Sequence, residues 1–266
     1  MSVLDDIILG VREDLDARKI LLPLEEVRIL AEQAPAPRNA YAALAVQAEG
    51  VSVIAEVKRK SPSKGELSAI QDPAELAAAY ERGGASVISV LTEERRFGGS
   101  LADLDAVRAA VDLPILRKDF TVDEYQIWEA RAHGADLILL IVAALDDATL
   151  ASFLELTEEL GMHALVETHT AEEVQRAVAV GARIIGVNVR NLKTLDIDRS
   201  VFPVLAGLIP SGAVVVAESG VRDISDVESY VAQGARAVLV GEALVSHSNP
   251  EATVGEFTRA GAALRH

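Results

Sequence analysis

Eight short aliphatic runs, separated by amphipathic stretches, predict a closed (β/α)8 barrel. The runs fall at residues 51–57, 86–91, 114–118, 137–142, 163–167, 184–188, 213–218 and 237–240. Length and composition agree with that class. A chain of 266 residues suits one closed barrel. Half the residues are apolar and only 4% aromatic, so the core is Ala, Val, Ile and Leu, as suits parallel strands buried on both faces. A doubly wound sheet would also alternate strands and helices. The count of eight, and glycine-bearing turns after the last two strands, favour the barrel.

Each element has its own signal. The first fifty residues fall outside the strand count and predict two helices, 4–18 and 23–33, followed by the Pro-rich segment 34–38. No low-complexity linker follows, so 1–266 reads as a single barrel domain in which 1–50 is an N-terminal helical extension. Between the strands, amphipathic helices are expected at 73–82, 101–110, 122–133, 148–160, 171–180 and 225–233. Asp72-Pro73 and Asn249-Pro250 read as helix starts, a capping side chain followed by Pro at the first helical position. Gly83-Gly84, Gly134, Gly161, Gly181 and Gly234 close helices ahead of the next strand, because glycine takes the left-handed position without a Cβ penalty.

Composition excludes several function classes. A net charge of -16 argues against nucleic acid or an anionic membrane as partners. The cations gather in groups, Lys58, Arg59, Lys60 and Lys64, then Arg117/Lys118 and Arg190/Lys193, so an acidic body with a basic mouth is expected around a small anionic substrate. Without cysteine there is no disulfide, thiolate metal site or cysteine nucleophile. The five histidines show no HExxH spacing, so no metal is expected. The start lacks a signal-peptide pattern and no apolar run reaches spanning length, the longest at 137–145, so a cytoplasmic protein is expected.

Chemistry concentrates where strands end. Lys118 closes a short apolar run in Pro114-Ile-Leu-Arg-Lys-Asp-Phe120, and Glu56/Lys58, Glu167, Asn188/Arg190 and Glu218 finish four other strands. The active site of such a barrel lies at the C-terminal strand ends. Residues two apart share a face, so Glu56 and Lys58 point the same way while Ala55 and Val57 pack outward. One such residue alone would read as an ion pair sealing the barrel. Seven on five strand ends read as a catalytic site, with a partly desolvated lysine as proton donor. Glycines after strands seven and eight, in Ala217-Glu-Ser-Gly-Val221 and Val240-Gly-Glu-Ala-Leu244, let backbone N–H groups approach a phosphate. Their alternative duty is to permit tight turns.

The most specific segment is Glu56-Val-Lys-Arg-Lys-Ser-Pro-Ser-Lys-Gly65. It is followed in order by Ser89-Val-Leu-Thr-Glu93 with Phe97, Leu116-Arg-Lys-Asp-Phe120, Leu165-Val-Glu167, Gly186-Val-Asn188 with Arg190-Asn-Leu192, Ala217-Glu-Ser-Gly220 and Val240-Gly-Glu-Ala-Leu244. This series resembles the indole-3-glycerol phosphate synthase family over essentially the whole chain, the helical extension included. The chain ends after one barrel, unlike forms fused to phosphoribosylanthranilate isomerase.

The resemblance implies a small phosphorylated anthranilate-sugar substrate and a reaction that requires no cofactor. It implies that Lys118 protonates the ribulose carbonyl as the aromatic ring attacks. Lys58 and Glu56 serve phosphate contact, orientation and dehydration, and Glu167 is the second acidic participant, often the base. Asn188, Arg190, Glu218 and Ser61 position the anthranilate carboxylate and sugar hydroxyls. Ser219, Gly220, Gly241 and Glu242 belong to the phosphate site, and Pro62, Phe97, Phe120, Leu139 and Leu192 to the apolar wall. Val189 and Glu242 depart from the family pattern, which often has Asn and Ser there. Val189 should face outward, whereas Glu242 sets an anion beside the phosphate loop.

Three rival functions fit the sequence less well. A phosphoribosylanthranilate isomerase needs a Cys/Asp pair that this chain lacks. A Schiff-base aldolase would use Lys118 as nucleophile, and a non-catalytic metabolite-binding barrel would have no use for the carboxylates. Trp128 is expected to pack, His169 to be a solvated loop histidine, and Glu93-Glu-Arg-Arg96 to be a solvated loop. The N-terminal helices could cross either barrel end, and the resemblance places part of them at the mouth.

Overall fold

The computed structural model describes residues 3–45, 50–61, 65–66, 72–192, 194–246, 249–260 and 262. The N-terminal extension forms α1 (Val3–Leu21), α2 (Leu24–Gln33) and α3 (Ala40–Ala45). Eight parallel strands follow: β1 (Ser52–Val57), β2 (Val87–Leu91), β3 (Ile115–Lys118), β4 (Leu137–Ile141), β5 (His163–Thr168), β6 (Ile184–Asn188), β7 (Val214–Glu218) and β8 (Ala237–Val240). They pair in sequence, and β8 returns to β1, closing the barrel. Helices α4 (Pro73–Arg82), α5 (Leu101–Ala110), α6 (Glu124–Ala132), α7 (Asp147–Glu159), α8 (Ala171–Ala179), α9 (Val201–Ala206), α10 (Ile224–Ala232), α11 (Glu242–Ser246) and α12 (Pro250–Arg259) complete the chain.

Period-two alternation sorts the strand side chains into two cores. Ile54, Leu116, Leu139, Leu165, Val216 and Leu239 fill the barrel interior. Their neighbours Ala55, Val57, Ile115, Leu140, Val166 and Ala217 pack outward against the helices, as expected for Ala55 and Val57. Val189 joins the outer core too. Helix starts follow the caps: Asp72 accepts from the N–H groups of Ala74 and Glu75, and Asn249 from that of Ala252. Such a cap contributes about 1 kcal/mol. Helix α6 begins later than expected because Asp123 caps it through the Tyr125 N–H.

The extension reaches both ends of the barrel. Residues Val3, Leu4 and Ile7 of α1 lie at the C-terminal mouth, and α2 runs along α6, where Trp128 packs beside Leu22 and Leu24 under the Arg28 guanidinium. Helix α3, absent from the expectation, closes the opposite end. Ala40 and Leu44 enter the inner core, Ser52 Oγ donates to the Leu44 carbonyl, and the Tyr41 hydroxyl to that of Gly212. Helix α9 and a hairpin pairing Lys60–Ser61 with Gly65–Glu66 were also unforeseen. All are too short for a periodic signal. Among the described residues no helix is long and apolar enough to cross a membrane.

Candidate active site

A cavity of about 370 Å³ opens at the C-terminal strand ends. Its polar lining comes from Glu56 on β1, Lys118 on β3, Glu167 on β5, Asn188 on β6 and Glu218 on β7, with Lys58 just beyond β1. The same cavity takes Phe97, Phe120, Leu139, Arg190 and Leu192, and the turn residues Ser219, Gly220, Gly241 and Glu242. Every expected site residue is therefore there, except that Pro62 and the side chain of Ser61 lie outside the described residues. The Phe97 and Phe120 rings stand 6.2 Å apart and form one side of the apolar wall. Val3, Leu4 and Ile7 of α1 contribute from above.

Lys118 Nζ sits 3.9 Å from Glu56 Oε2, 4.0 Å from Glu167 Oε2 and 4.0 Å from Glu218 Oε2. Burial favours the neutral amine, but the three carboxylates outweigh it and hold Lys118 protonated beyond the ordinary lysine range. The carboxylates do not share alike. Burial works against ionising Glu56, yet Lys58, 2.7 Å away, and Lys118 draw its pKa below the usual value. Burial likewise opposes charge on Glu167, which His169 and Lys118 overcome, bringing it to about 2. Glu218 goes the other way, pushed well up by burial and then by the charge on Glu167. The floor thus sets one ammonium among carboxyl groups whose proton affinities diverge, Glu56 and Glu167 drawn down and Glu218 pushed up.

Two glycines make room for this arrangement. A Cβ on Gly186 would lie 1.9 Å from Glu218 Oε1, and one on Gly241 would lie 2.8 Å from Glu56 Oε1. Gly241 thus also seats a carboxylate, a duty beyond the phosphate contact expected of it. The Gly186→Ala variant should fold, because the obstructing atom is a side-chain end, but should displace the Glu218 carboxyl. A misplacement near 1 Å can cost roughly a hundredfold in rate. We expect kcat to fall at least about tenfold on that account, with the unfolding temperature little changed. Steady-state kinetics with wild-type values would show that the Glu218 position is immaterial.

The turn after β7 is held from below. Ser219 and Gly220 both have positive φ, 68° and 76°. The Tyr230 hydroxyl donates to the Ser219 carbonyl at 3.2 Å. Arg199 donates to the Gly220 carbonyl at 2.8 Å and lies 3.5 Å from Asp226. Beside it, Asn188 Oδ1 accepts from the Arg190 N–H at 3.0 Å, and the Arg190 guanidinium donates to the Leu195 carbonyl at 3.1 Å.

Several expectations need correction. The described residues lining the mouth include five cations, Lys58, Lys118, Arg190, Arg199 and Arg222, and five acids, Glu56, Asp119, Glu167, Glu218 and Glu242, so the described lining is balanced in charge. Arg59 is tied to Asp103 on α5, and Lys64 and Lys193 lie outside the described residues. Arg117 faces away from Lys118, as alternation dictates, and is buried between Asp119 at 3.1 Å and Glu129 at 2.8 Å. His169 is not a solvated loop histidine. Its side chain is 12% exposed and faces Glu167, two residues back on the same face. Nor is 93–96 merely solvated: Glu93 is buried and accepts from the Arg96 and Phe97 N–H groups, while Arg95 grips Glu13 and Asp14 of α1. Arg199 and Arg222 carry no sequence signal, because irregular loops have no register that would bring them to the cavity.

Residues 4–257 match the family model described as indole-3-glycerol phosphate synthase. The chain is 67% identical to the indole-3-glycerol phosphate synthase of Arthrobacter sp. (strain FB24), over 98% of this chain and 97% of that one. It is 66% identical to that of Paenarthrobacter aurescens (strain TC1), over 99% and 98%. Among solved structures, a 3-hexulose-6-phosphate synthase superposes with a TM-score of 0.63 at 19% identity, covering 79% of this chain and 99% of that one. That last likeness shows the fold alone.

Proposed function

We propose that this chain, which belongs to the indole-3-glycerol phosphate synthase family, closes the indole ring with Lys118 as proton donor and Glu167 as proton acceptor. The chain is an enzyme of tryptophan biosynthesis. It converts 1-(2-carboxyphenylamino)-1-deoxy-D-ribulose 5-phosphate to indole-3-glycerol phosphate, with loss of CO2 and water. The ring carbon bearing the carboxylate attacks the ketose carbonyl, and Lys118 delivers a proton to its oxygen as the bond forms. Departure of CO2 restores the aromatic ring. The new hydroxyl then takes a proton from Lys58 and leaves as water, while Glu167 takes the proton that the pyrrole ring must lose.

One observation carries this division: a single ammonium lies within 4.0 Å of three carboxyl groups whose surroundings drive their proton affinities apart. A lysine kept protonated is a ready acid and a poor nucleophile, which disfavours the Schiff-base alternative. Arg190 and Asn188 take the anthranilate carboxylate and sugar hydroxyls, with a guanidinium suited to bidentate contact. Phe97, Phe120, Leu139 and Leu192 wall the aromatic ring, and the Lys58–Glu56 pair serves the dehydration. A cytoplasmic location fits a charged, phosphorylated substrate that does not cross a membrane unaided. The test is a fluorescence assay for indole product with purified, chelator-treated protein. Absence of product overturns the reading.

The phosphate belongs between the turns of Gly220 and Gly241, with Lys58 nearby. Inorganic phosphate and sulfate should then raise KM without lowering kcat. Sulfate soaked into crystals and found only elsewhere would count against this placement.

A further inference from the structure

His169 has no part in the chemistry so far, and it is not among the cavity-lining residues. It stands one residue beyond β5 with its ring between two carboxylates. Nε2 is 3.3 Å from Glu167 Oε1, close enough for an ion pair, and Nδ1 is 3.2 Å from Glu173 Oε2 in the first turn of α8. The His169 backbone N–H donates to the same Glu173 oxygen at 2.7 Å. Thr170 caps α8 through the Glu173 N–H, which fixes Glu173 in turn. We propose that His169 is a positioning residue that, as an imidazolium clamped by Glu173, keeps Glu167 ionised and aimed at Lys118 while Glu218 holds the remaining proton.

The choice between the two acids follows from who their neighbours are. Glu56 has Lys58 at 2.7 Å for itself. Glu167 and Glu218 both stand 4.0 Å from Lys118, so Lys118 alone does not discriminate between them. His169 does, because it faces Glu167. Burial and the adjoining Glu167 charge push the Glu218 pKa well up, opposite to the shift at Glu167. The charged groups facing the imidazole are Glu167 and Glu173, with Lys118 and Glu218 beyond Glu167. Two adjacent anions raise the imidazole pKa to about 10 against the opposing effect of burial. The stabilisation it gives is therefore complete below the ordinary histidine value and is lost as pH rises through about 10.

This inference rests on Glu167 acting as the base. The test compares His169→Gln and Glu173→Gln with wild type in kcat, KM and the pH profile of kcat/KM, and follows the ring nitrogens of the wild-type protein by 15N NMR. In His169→Gln the Glu167 pKa rises, so the acid limb of kcat/KM should move up by about one unit. Its kcat should drop roughly ten- to a hundredfold with KM nearly unchanged, less than deletion of the base itself would cost. Glu173→Gln should shift the limb the same way by less. NMR should find His169 doubly protonated at pH 7.5, while His163, whose pKa is lowered by burial and by Arg183, is neutral. An unmoved acid limb in His169→Gln, or a neutral His169 at pH 7.5, overturns the proposal. If wild-type protein makes no indole product, the functional reading fails instead, and the NMR result alone then decides the charge on His169.

Discussion

Lys118→Met should abolish most turnover while the substrate still binds. General acid catalysis contributes about 10²–10⁴-fold, and the loss should fall within or beyond that range. Methionine nearly matches lysine in length and fills its place among Leu116 and its neighbours, so the interior stays packed. What disappears is the one ammonium shared by Glu56, Glu167 and Glu218. Glu56 and Glu167 then lose a cation that lowers their pKa, so Glu167 keeps its proton to a higher pH and is less fully ionised in the acid range. The variant thus forfeits the donor and disturbs the acceptor. Affinity should survive, because the phosphate turns and the apolar wall do not involve Lys118. Pre-steady-state turnover and calorimetric titration with substrate separate the two effects. A rate equal to wild type would remove Lys118 from the mechanism.

The barrel was legible because its signal is repeated. Alternation along eight strands fixes which residues face inward, and the polar residues that end those strands then fall at the mouth without further information. Glu56, Lys118, Glu167, Asn188 and Glu218 are such residues. The same rule turns Arg117 away from the mouth, because adjacency along a strand means opposite faces. Other features depend on distances that no period encodes. Gly186 was visible only as part of a motif, and its reason is the Glu218 carboxyl lying across it from the next strand. Arg199 reaches the β7 turn from a loop whose path is set by the Asn191–Leu195 turn and the Arg190–Ile197 bridge. For His169 a signal existed, its spacing of two from Glu167. Its weight appears only once Glu173 is seen to close the other side.

A chain begun at Arg38 should keep its barrel and lose most of its catalytic efficiency. The cut spares α3, so Ala40 and Leu44 still plug the lower end, and the Arg38 N–H still donates to Asp136 at 2.6 Å. It removes α1 and α2. Val3, Leu4 and Ile7 then vanish from the cavity, and the ion pairs that hold α1 in place, Arg95 with Glu13 and Asp14, Arg18 with Glu129 and Lys19 with Asp123, vanish with them. Removing the buried faces of both helices, Leu15 and Val27 included, costs stability at about 1.5–3 kcal/mol per large buried side chain. The barrel, with its own two cores, should remain folded at lower temperature. At the mouth the substrate ring loses apolar cover and water reaches the carboxyl groups around Lys118, which weakens every electrostatic contact there. Two uncovered apolar side chains are enough to lower kcat/KM by at least about a hundredfold, with KM carrying a large share. Circular dichroism checks the barrel, and steady-state kinetics the mouth. If the truncated chain folds and matches the full one in turnover and affinity, the helices are only a prop for the barrel wall.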